Sequence, residues 1–598
     1  MTDERCGAFG AEEVHPDPIE ALRDRIDVAV VPFTERGSRI LVFREPAESR
    51  LFIRVCERWP KLAHVEGHYR VRPPFVAGFE LLDGEGNALA WKLVTYPHVL
   101  RFLTGIGPFA MAFDGPELLV IQPPPGRCGV RFAVRAESAA TDRRGGWTRG
   151  VRHLAYTTNG HVVRNEVHRE EAGRWRVTLL IEATPDTQIT LNITPRLGFD
   201  RRIRPYDPVW EAERRWRRWL EQVPWVAPRF RPTYDYAWYL MRAGLLSSRY
   251  YFTREALVPS KVHYVGLWQW DAFFHALAYR YVDPVLAGDQ FRVLFDHQRP
   301  DGRLPDCVFD EGVVESLEEP VAGLVTKPPI AGWAAWKVYE VTGDCDFVAE
   351  LYEPVSRLHR WWMQTCDSDG DGLPEYHHPY SSGLDDSPLW DFGMPVASPD
   401  LATYLCLEAE SLARMARLLG EEVEADRWEA EATGLVERMQ ERLFDAARGL
   451  FWAIRIGGNE RVPVLTPLSL LPMWTGRLPA EVVERLVAYL RDPRTFWTRY
   501  PVPTVARSDP RYQPDRMWRG PTWVNVNYML IEALIRCGYR HLARELCDRT
   551  LELVARHPDI KEYYHPETGE APPQAAPGYG WSAALYIDLA IRRSRGEI

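Results

Sequence analysis

Between about residue 26 and residue 195 the apolar positions fall in short runs, VAVV at 28–31, ILVF at 40–43 and LFIRV at 51–55, separated by Gly, Pro and Asp. RWRVTLLI at 174–181 and TQITLNI at 187–193 continue the pattern. Runs rich in β-branched and aromatic residues, bounded by turn formers, predict strands. Their number predicts a large β-sandwich over 1–204, with a polar lead-in up to about residue 25. A different period follows. Trp210, Trp216, Trp219 and Leu220 recur at helical spacing behind Pro208, which predicts a linker helix within 205–231. Its run of arginines reads as a solvated helix face rather than a nucleic-acid contact.

From 232 to 598 the period is 3.6 throughout. Ser398 and Pro399 open one helix as N-cap and first-turn proline; Leu401, Leu405, Leu412, Met415 and Leu418 form its stripe, and Gly420 suits its C′ position. Trp428, Leu435, Met439 and Leu443 mark the next. Other helices are expected to begin near 232, 269, 284, 328, 346, 479, 522, 539 and 580, with Pro354 marking the true start of the one near 346. No short repeat of fixed period is present, which disfavours an open solenoid. Many helices joined by loops rich in Trp, Pro, Asp and Gly predict a closed toroid, an (α/α)6 barrel, behind the sandwich.

Composition narrows the class. The 598 residues carry 73 Lys plus Arg against 83 Asp plus Glu, a formal charge of −10, which is poorly suited to a phosphate backbone. Nine cysteines, an odd number with no CxxC pair, argue against a disulfide framework or structural zinc and for a reducing compartment. The N-terminus is polar, no signal peptide is expected, and no apolar run is long enough to span a bilayer. The expectation is a cytoplasmic protein without nucleic-acid or membrane partners, its oligomeric state left open.

Two turn-rich stretches hold candidate chemistry: Ser382-Gly383-Leu384-Asp385-Asp386-Ser387-Pro388 and Lys561-Glu562-Tyr563-Tyr564-His565-Pro566. Each presents carboxylates beside a helix end, where loops bring reactive groups to a cleft. Around them, Trp268-Gln269-Trp270-Asp271, Trp390-Asp391 and Trp518-Arg519-Gly520-Pro521-Thr522-Trp523 interleave aromatic rings with charge, a combination suited to a sugar ring. Asp271 is placed to grip hydroxyls while Trp268 or Trp270 stacks on the ring. Arg519, Asn527, Tyr579 and Trp581 are further candidates for the substrate site. Asp367, Asp369 and Asp371 alternate with Ser and Gly like the start of a calcium loop, but His378 stands where an EF-hand requires Glu. A polar, capped turn is the favoured reading there, with a structural calcium as its alternative, and no cofactor for catalysis is expected. Nucleotide-binding glycine loops, an esterase elbow and catalytic-metal histidine spacings are lacking.

The ordered motifs of 232–593 resemble glycoside hydrolase family 63, in the clan it shares with the family 37 trehalases. Trp268-Gln269-Trp270-Asp271-Ala272-Phe273-Phe274 is similar to W-x-W-D-x-x-F, and Gln298-Arg299-Pro300-Asp301-Gly302-Arg303-Leu304-Pro305 to Q-x-x-D-G-x-x-P. Lys327-Pro328-Pro329-Ile330-Ala331-Gly332-Trp333 looks like the P-P-x-x-x-W helix start, and 518–528 like W-R-G-P-x-W-x-x-x-N-[YW]. The resemblance implies that Asp385 is the general acid, that Glu562 is the general base, and that Asp386 is a neighbour. It also implies inversion at an α-glycosidic carbon without a cofactor. Members acting on glucosylglycerate or mannosylglycerate are shorter, so their substrate does not transfer.

The residues thus predict an inverting α-glycosidase acting on a small carbohydrate, an α-glucoside or related α-mannoside. Rival readings are a disaccharide phosphorylase, which needs an anion site in place of a base, a glucosylglycerate or mannosylglycerate hydrolase, and a carbohydrate-binding protein without catalysis.

Overall fold

The computed structural model describes residues 17–598, apart from 47, 59–71 and 172. Residues 1–16 of the expected lead-in, with Cys6 among them, lie outside the described residues, and its remainder carries a short helix, Pro18–Ala21, capped by Asp17; the other eight cysteines are free thiols. Strands fill the stretch up to 194 and helices dominate beyond it.

Two antiparallel sheets make up the first part. One has six strands in the order Ile40–Arg44, Leu51–Val55, Val76–Leu82, Gly126–Arg135, Arg174–Ala183, His161–Glu171. The other has eight, running from Trp91–Thr95 at one edge to Ser138–Asp142 at the other. Their inward rows share one core: Phe132 of the first sheet meets Tyr156 of the second edge-on, with ring centroids 6.1 Å apart. Burying each such side chain is worth about 1.5–3 kcal/mol, which holds the sheets face to face. The run at 28–31 departs from expectation. It forms a turn, because Asp27 accepts the backbone N–H of Ala29 on its side chain and those of Val30 and Val31 on its carbonyl.

Helix Pro208–Leu220 is capped by Asp207 and lies on strand Gly107–Phe113. Its other face stacks Trp216 on Tyr239 at 5.4 Å and donates the Trp219 indole N–H to the Trp238 carbonyl. It therefore touches both parts of the chain.

Six buried segments form a ring in which each packs on the next and the last on the first: Gln269–Tyr279, Ala331–Thr342, Pro399–Leu418, Pro467–Thr475, Val524–Arg536 and Gly580–Ser594. Outer helices back them, among them Pro284–Phe295, Glu422–Leu443 and Arg540–Ala555. Two details differ from the sequence pattern. The segment Pro467–Thr475 is a 3-10 helix interrupted by Pro472, too short and proline-rich for its period to show. Helix Cys345–Thr365 runs through Pro354 instead of starting there; Asp344 caps it at Phe347 N–H, and the carbonyl that proline leaves unpaired belongs to exposed Glu350. Among the described residues no helix is long and apolar enough to cross a membrane.

The seam between the two parts is polar and buried. Gly37, at φ +77°, exchanges backbone hydrogen bonds with Leu245 and Ser247, and Glu35 pairs with Arg242 at 2.7 Å. The Lys261 ammonium donates to the carbonyls of Ser38 (2.6 Å) and Glu35 (3.2 Å). Burial pushes its pKa down to about 7. An unfolded lysine titrates near 10.4, so between these values the unfolded chain binds the extra proton and stability must rise with pH. The expected outcome is an unfolding free energy that climbs from about pH 7 to about pH 10, with the climb reduced in Lys261→Met. Denaturant melts of both proteins across that interval measure it.

Candidate active site

Five of the six inner segments begin at one pocket, and its lining comes from their first turns or from the loops that lead into them. The pocket encloses about 320 Å³ of space, counted together with its solvent-filled mouth. Parallel helix starts direct unpaired N–H groups and positive dipole ends toward the same space, a setting that favours carboxylates.

Trp268, Trp270 and Asp271 come from the start of helix Gln269–Tyr279. Gln269 turns the other way and accepts from Thr326 Oγ1 (2.8 Å) and from the backbone N–H of Lys327 (3.0 Å), tying in the next loop. That loop delivers Lys327. Its ammonium lies 3.1 Å from Asp306 and 3.4 Å from Asp385, and donates to the Tyr380 carbonyl at 2.6 Å. Asp385 follows the 3-10 turn Pro379–Ser382 and Gly383, whose φ of +73° ends that turn. A Cβ on Gly383 would stand 2.3 Å from the Trp270 ring, so only glycine lets the loop of Asp385 approach the tryptophan.

Glu562 precedes strand Tyr563–Tyr564, which pairs with Thr522–Trp523. Its carboxylate is buried and held from both sides: Tyr264 O–H donates to Oε1 at 2.7 Å and Ala576 N–H to Oε2 at 2.9 Å. Asp271 differs. It is buried, its Oδ1 accepts no hydrogen bond, and its pKa is raised well above the usual carboxylate range. Burial is the main cause; Lys327 opposes it, while Glu562 and Asp385 add repulsion. Such an orphaned acceptor facing a pocket is suited to a ligand hydroxyl.

Aromatic rings complete the walls. Trp518 and Trp523 stack at 3.6 Å, and Trp581 stands edge-on to Trp270 at 5.2 Å and to Tyr579 at 5.3 Å. Of the residues singled out from sequence, Asp385, Glu562, Trp268, Trp270, Asp271, Trp518, Tyr579 and Trp581 line the pocket together. Four others lie outside the lining. Asp386 turns to the neighbouring loop and accepts the Trp518 backbone N–H at 2.9 Å. Trp390 donates its indole N–H to the Leu384 carbonyl at 2.7 Å, bracing the loop of Asp385. Arg519 grips Asp391 with two bonds of 2.8 and 2.6 Å. Asn527 is fully engaged with Pro501, Val502 and Thr550.

Tyr264, Lys327, Met517 and Trp523 also line the pocket and were not picked out from sequence as site residues. Lys327 and Trp523 stand inside recognised motifs, so the signal was present; Tyr264 lies four residues before Trp268 and carries none. Elsewhere, Asp367, Asp369 and Glu375 bring ligand oxygens within 4.8 Å of one another. Asp371 instead pairs with Arg442 at 2.8 Å. The carboxylate of Asp367 accepts the N–H groups of Asp371 and Gly372, and that of Glu375 accepts the N–H and the O–H of Ser368, so hydrogen bonds and one guanidinium tie this loop together.

Residues 264–582, more than half of the chain, match the family described as the mannosylglycerate hydrolase MGH1-like glycoside hydrolase domain. Mannosylglycerate hydrolase of Thermus thermophilus is 28% identical over 404 residues, which cover 55% of this chain and 95% of that protein. The crystal structure of the family 63 mannosylglycerate hydrolase from Thermus thermophilus in complex with glucose superposes with a TM-score of 0.52 at 25% identity, over 60% of this chain and 99% of that one. A bacterial glucoamylase complexed with acarbose, 11% identical, gives a TM-score of 0.59 over 94% of this chain and 95% of its own, a likeness of fold alone. With the ring of helices, the carboxylate-lined pocket and the family match in agreement, this chain belongs to the MGH1-like glycoside hydrolases of family 63.

Proposed function

We propose that the protein hydrolyses the α-glycosidic bond of a small glucoside or mannoside with inversion, using Asp385 as general acid and Glu562 as general base. The observation that carries this reading is that the two carboxylates, from distant loops, line one pocket together with Asp271 and a set of tryptophans. Asp385 would give its proton to the glycosidic oxygen as the bond to the anomeric carbon breaks. Glu562 would take a proton from the water that attacks the opposite ring face. Asp271, with an unfilled acceptor, suits a sugar hydroxyl, and the stacked Trp518 and Trp523 offer an apolar face. The ring is read as an (α/α)6 barrel over 232–598, behind a β-sandwich over 1–204 and a linker at 205–231.

Lys327 is the one cation on the described lining, and it already lies between Asp306 and Asp385. That disfavours a phosphorylase, which must bind an anion beside the sugar. Mannosylglycerate is the first substrate to test, because the family and the Thermus protein carry its name.

Asp385→Asn and Glu562→Gln are each expected to lower kcat by about 10²- to 10⁴-fold with an unchanged melting temperature. Steady-state kinetics beside thermal melts decide this, and near-normal turnover in either variant would remove that residue from its role. Asp271→Asn should reduce kcat/KM by about ten- to a hundredfold through loss of the carboxyl group that meets the sugar hydroxyl. A proton NMR time course on α-glucosides, α-mannosides and mannosylglycerate, with and without phosphate, should show the β-anomer of the free sugar first. The α-anomer first, or a sugar phosphate, would refute the mechanism.

A further inference from the structure

Trp268 stands on the pocket wall and is backed by a hairpin of strands Cys307–Phe309 and Gly312–Val314. Cys307 pairs with Trp268 in an antiparallel ladder, and Phe309 meets the Trp268 ring edge-on at 5.7 Å. The packing is close: a Cβ on Gly266 would come within 2.5 Å of Cys307 Sγ and 2.8 Å of the Phe309 ring. Movement of the hairpin would therefore be passed to Trp268.

The β-rich region grips this hairpin at two points. The Arg58 guanidinium lies over the Phe309 ring, 4.8 Å from its centroid. Arg58 Nε–H donates to no partner among the described residues, so the ring is its contact with the hairpin. At the hairpin turn, Asp310 receives Nε and one terminal nitrogen of Arg39 in a two-pronged pair, with side chains 7% and 5% exposed. Arg39 also donates to the Ser247 carbonyl at 3.0 Å, which anchors it to the helical part as well. A planar guanidinium bound at two atoms and desolvated resists rotation far better than an exposed pair.

Arg39 and Arg58 both lie outside the residues that match the family, 264–582. The Thermus relative is covered to 95% of its length by a match that takes only 55% of this chain. The pocket wall of this protein thus has a support that comes from outside the part shared with the family domain.

We propose that the β-rich region sets the shape of the pocket through the 307–314 hairpin, with Arg39 and Arg58 as positioning residues for Trp268 and so for substrate selection. The inference rests on the reading of Trp268 as part of the sugar site. Positioning of this kind acts on binding before chemistry, so its loss belongs in KM.

The test combines Arg58→Ala, Arg58→Lys and Asp310→Asn with hydrogen exchange of the hairpin amides, thermal melts and steady-state kinetics on whichever glycoside the wild type turns over. Arg58→Ala should speed exchange in 307–314 and raise KM by about tenfold with kcat within about threefold, while Arg58→Lys, which keeps a cation over the ring, restores most of the loss. Asp310→Asn should act in the same direction. Unchanged hairpin exchange and unchanged KM in Arg58→Ala would overturn the proposal, as would a parallel fall of kcat and stability that Arg58→Lys does not rescue. Should Asp310→Asn fail to fold, the two Arg58 variants still decide. A wild type that cleaves no glycoside would remove the catalytic reading, and unaltered hairpin exchange in Arg58→Ala would then still be fatal to the positioning role.

Discussion

Three carboxylates, Asp271, Asp385 and Glu562, line one pocket together with one ammonium, that of Lys327, which also pairs with buried Asp306. A buried ion without compensation costs several kcal/mol, so this cluster demands a specific placement of that charge. The ammonium touches Asp306 and Asp385 directly and lowers the cost at Asp271, where burial nonetheless dominates. Its backbone is fixed in turn by Gln269, the residue between the two pocket tryptophans. The segment that carries the positive charge and the helix start that carries Asp271 are thus locked to one another, and the remaining loops assemble around them.

The ring of inner helices supplies what such a site requires. Five helix starts deliver side chains to one end of the ring, so residues far apart in sequence meet without long flexible loops. Contact constraints then tighten the arrangement: Gly383 fits against Trp270 only because it lacks a Cβ, and Asp386 holds the Trp518 backbone beside Trp523. Asp386, Trp390 and Asn527 brace the loops and the ring, while the pocket itself is lined by their neighbours.

The β-rich region is bound to the helical part by charges that are buried rather than exposed. Lys261, Arg242 and Arg39 each span the seam, and each has acceptors from the other part of the chain. Removing one partner from such a contact leaves an unpaired buried charge, which makes the seam a fixed surface rather than a sliding one. The same fixed surface reaches the pocket through Phe309 and Trp268.

Local sequence was enough for everything that depends on local physics. The change of period near 205, the helix starts at Pro208 and Pro399 and the left-handed turn at Gly420 follow from proline placement, propensity and hydrophobic spacing, although the Ser398 hydroxyl turns to Asp400 instead of capping its helix, and among the described residues no helix is long and apolar enough to cross a membrane. Ordered motifs also marked the stretches that line the pocket, including those of Asp385 and Glu562. Sequence did not show the turn at 28–31, the 3-10 segment Pro467–Thr475 in the ring, or the continuation of a helix through Pro354, because each depends on a neighbour that accepts or tolerates the local exception. Nor could it tell which side of a motif faces the pocket. Tyr264 and Lys327 point in while Arg519 and Asn527 point away, and that choice is made only when the helix starts converge and every buried charge and hydrogen-bonding group must find its partner.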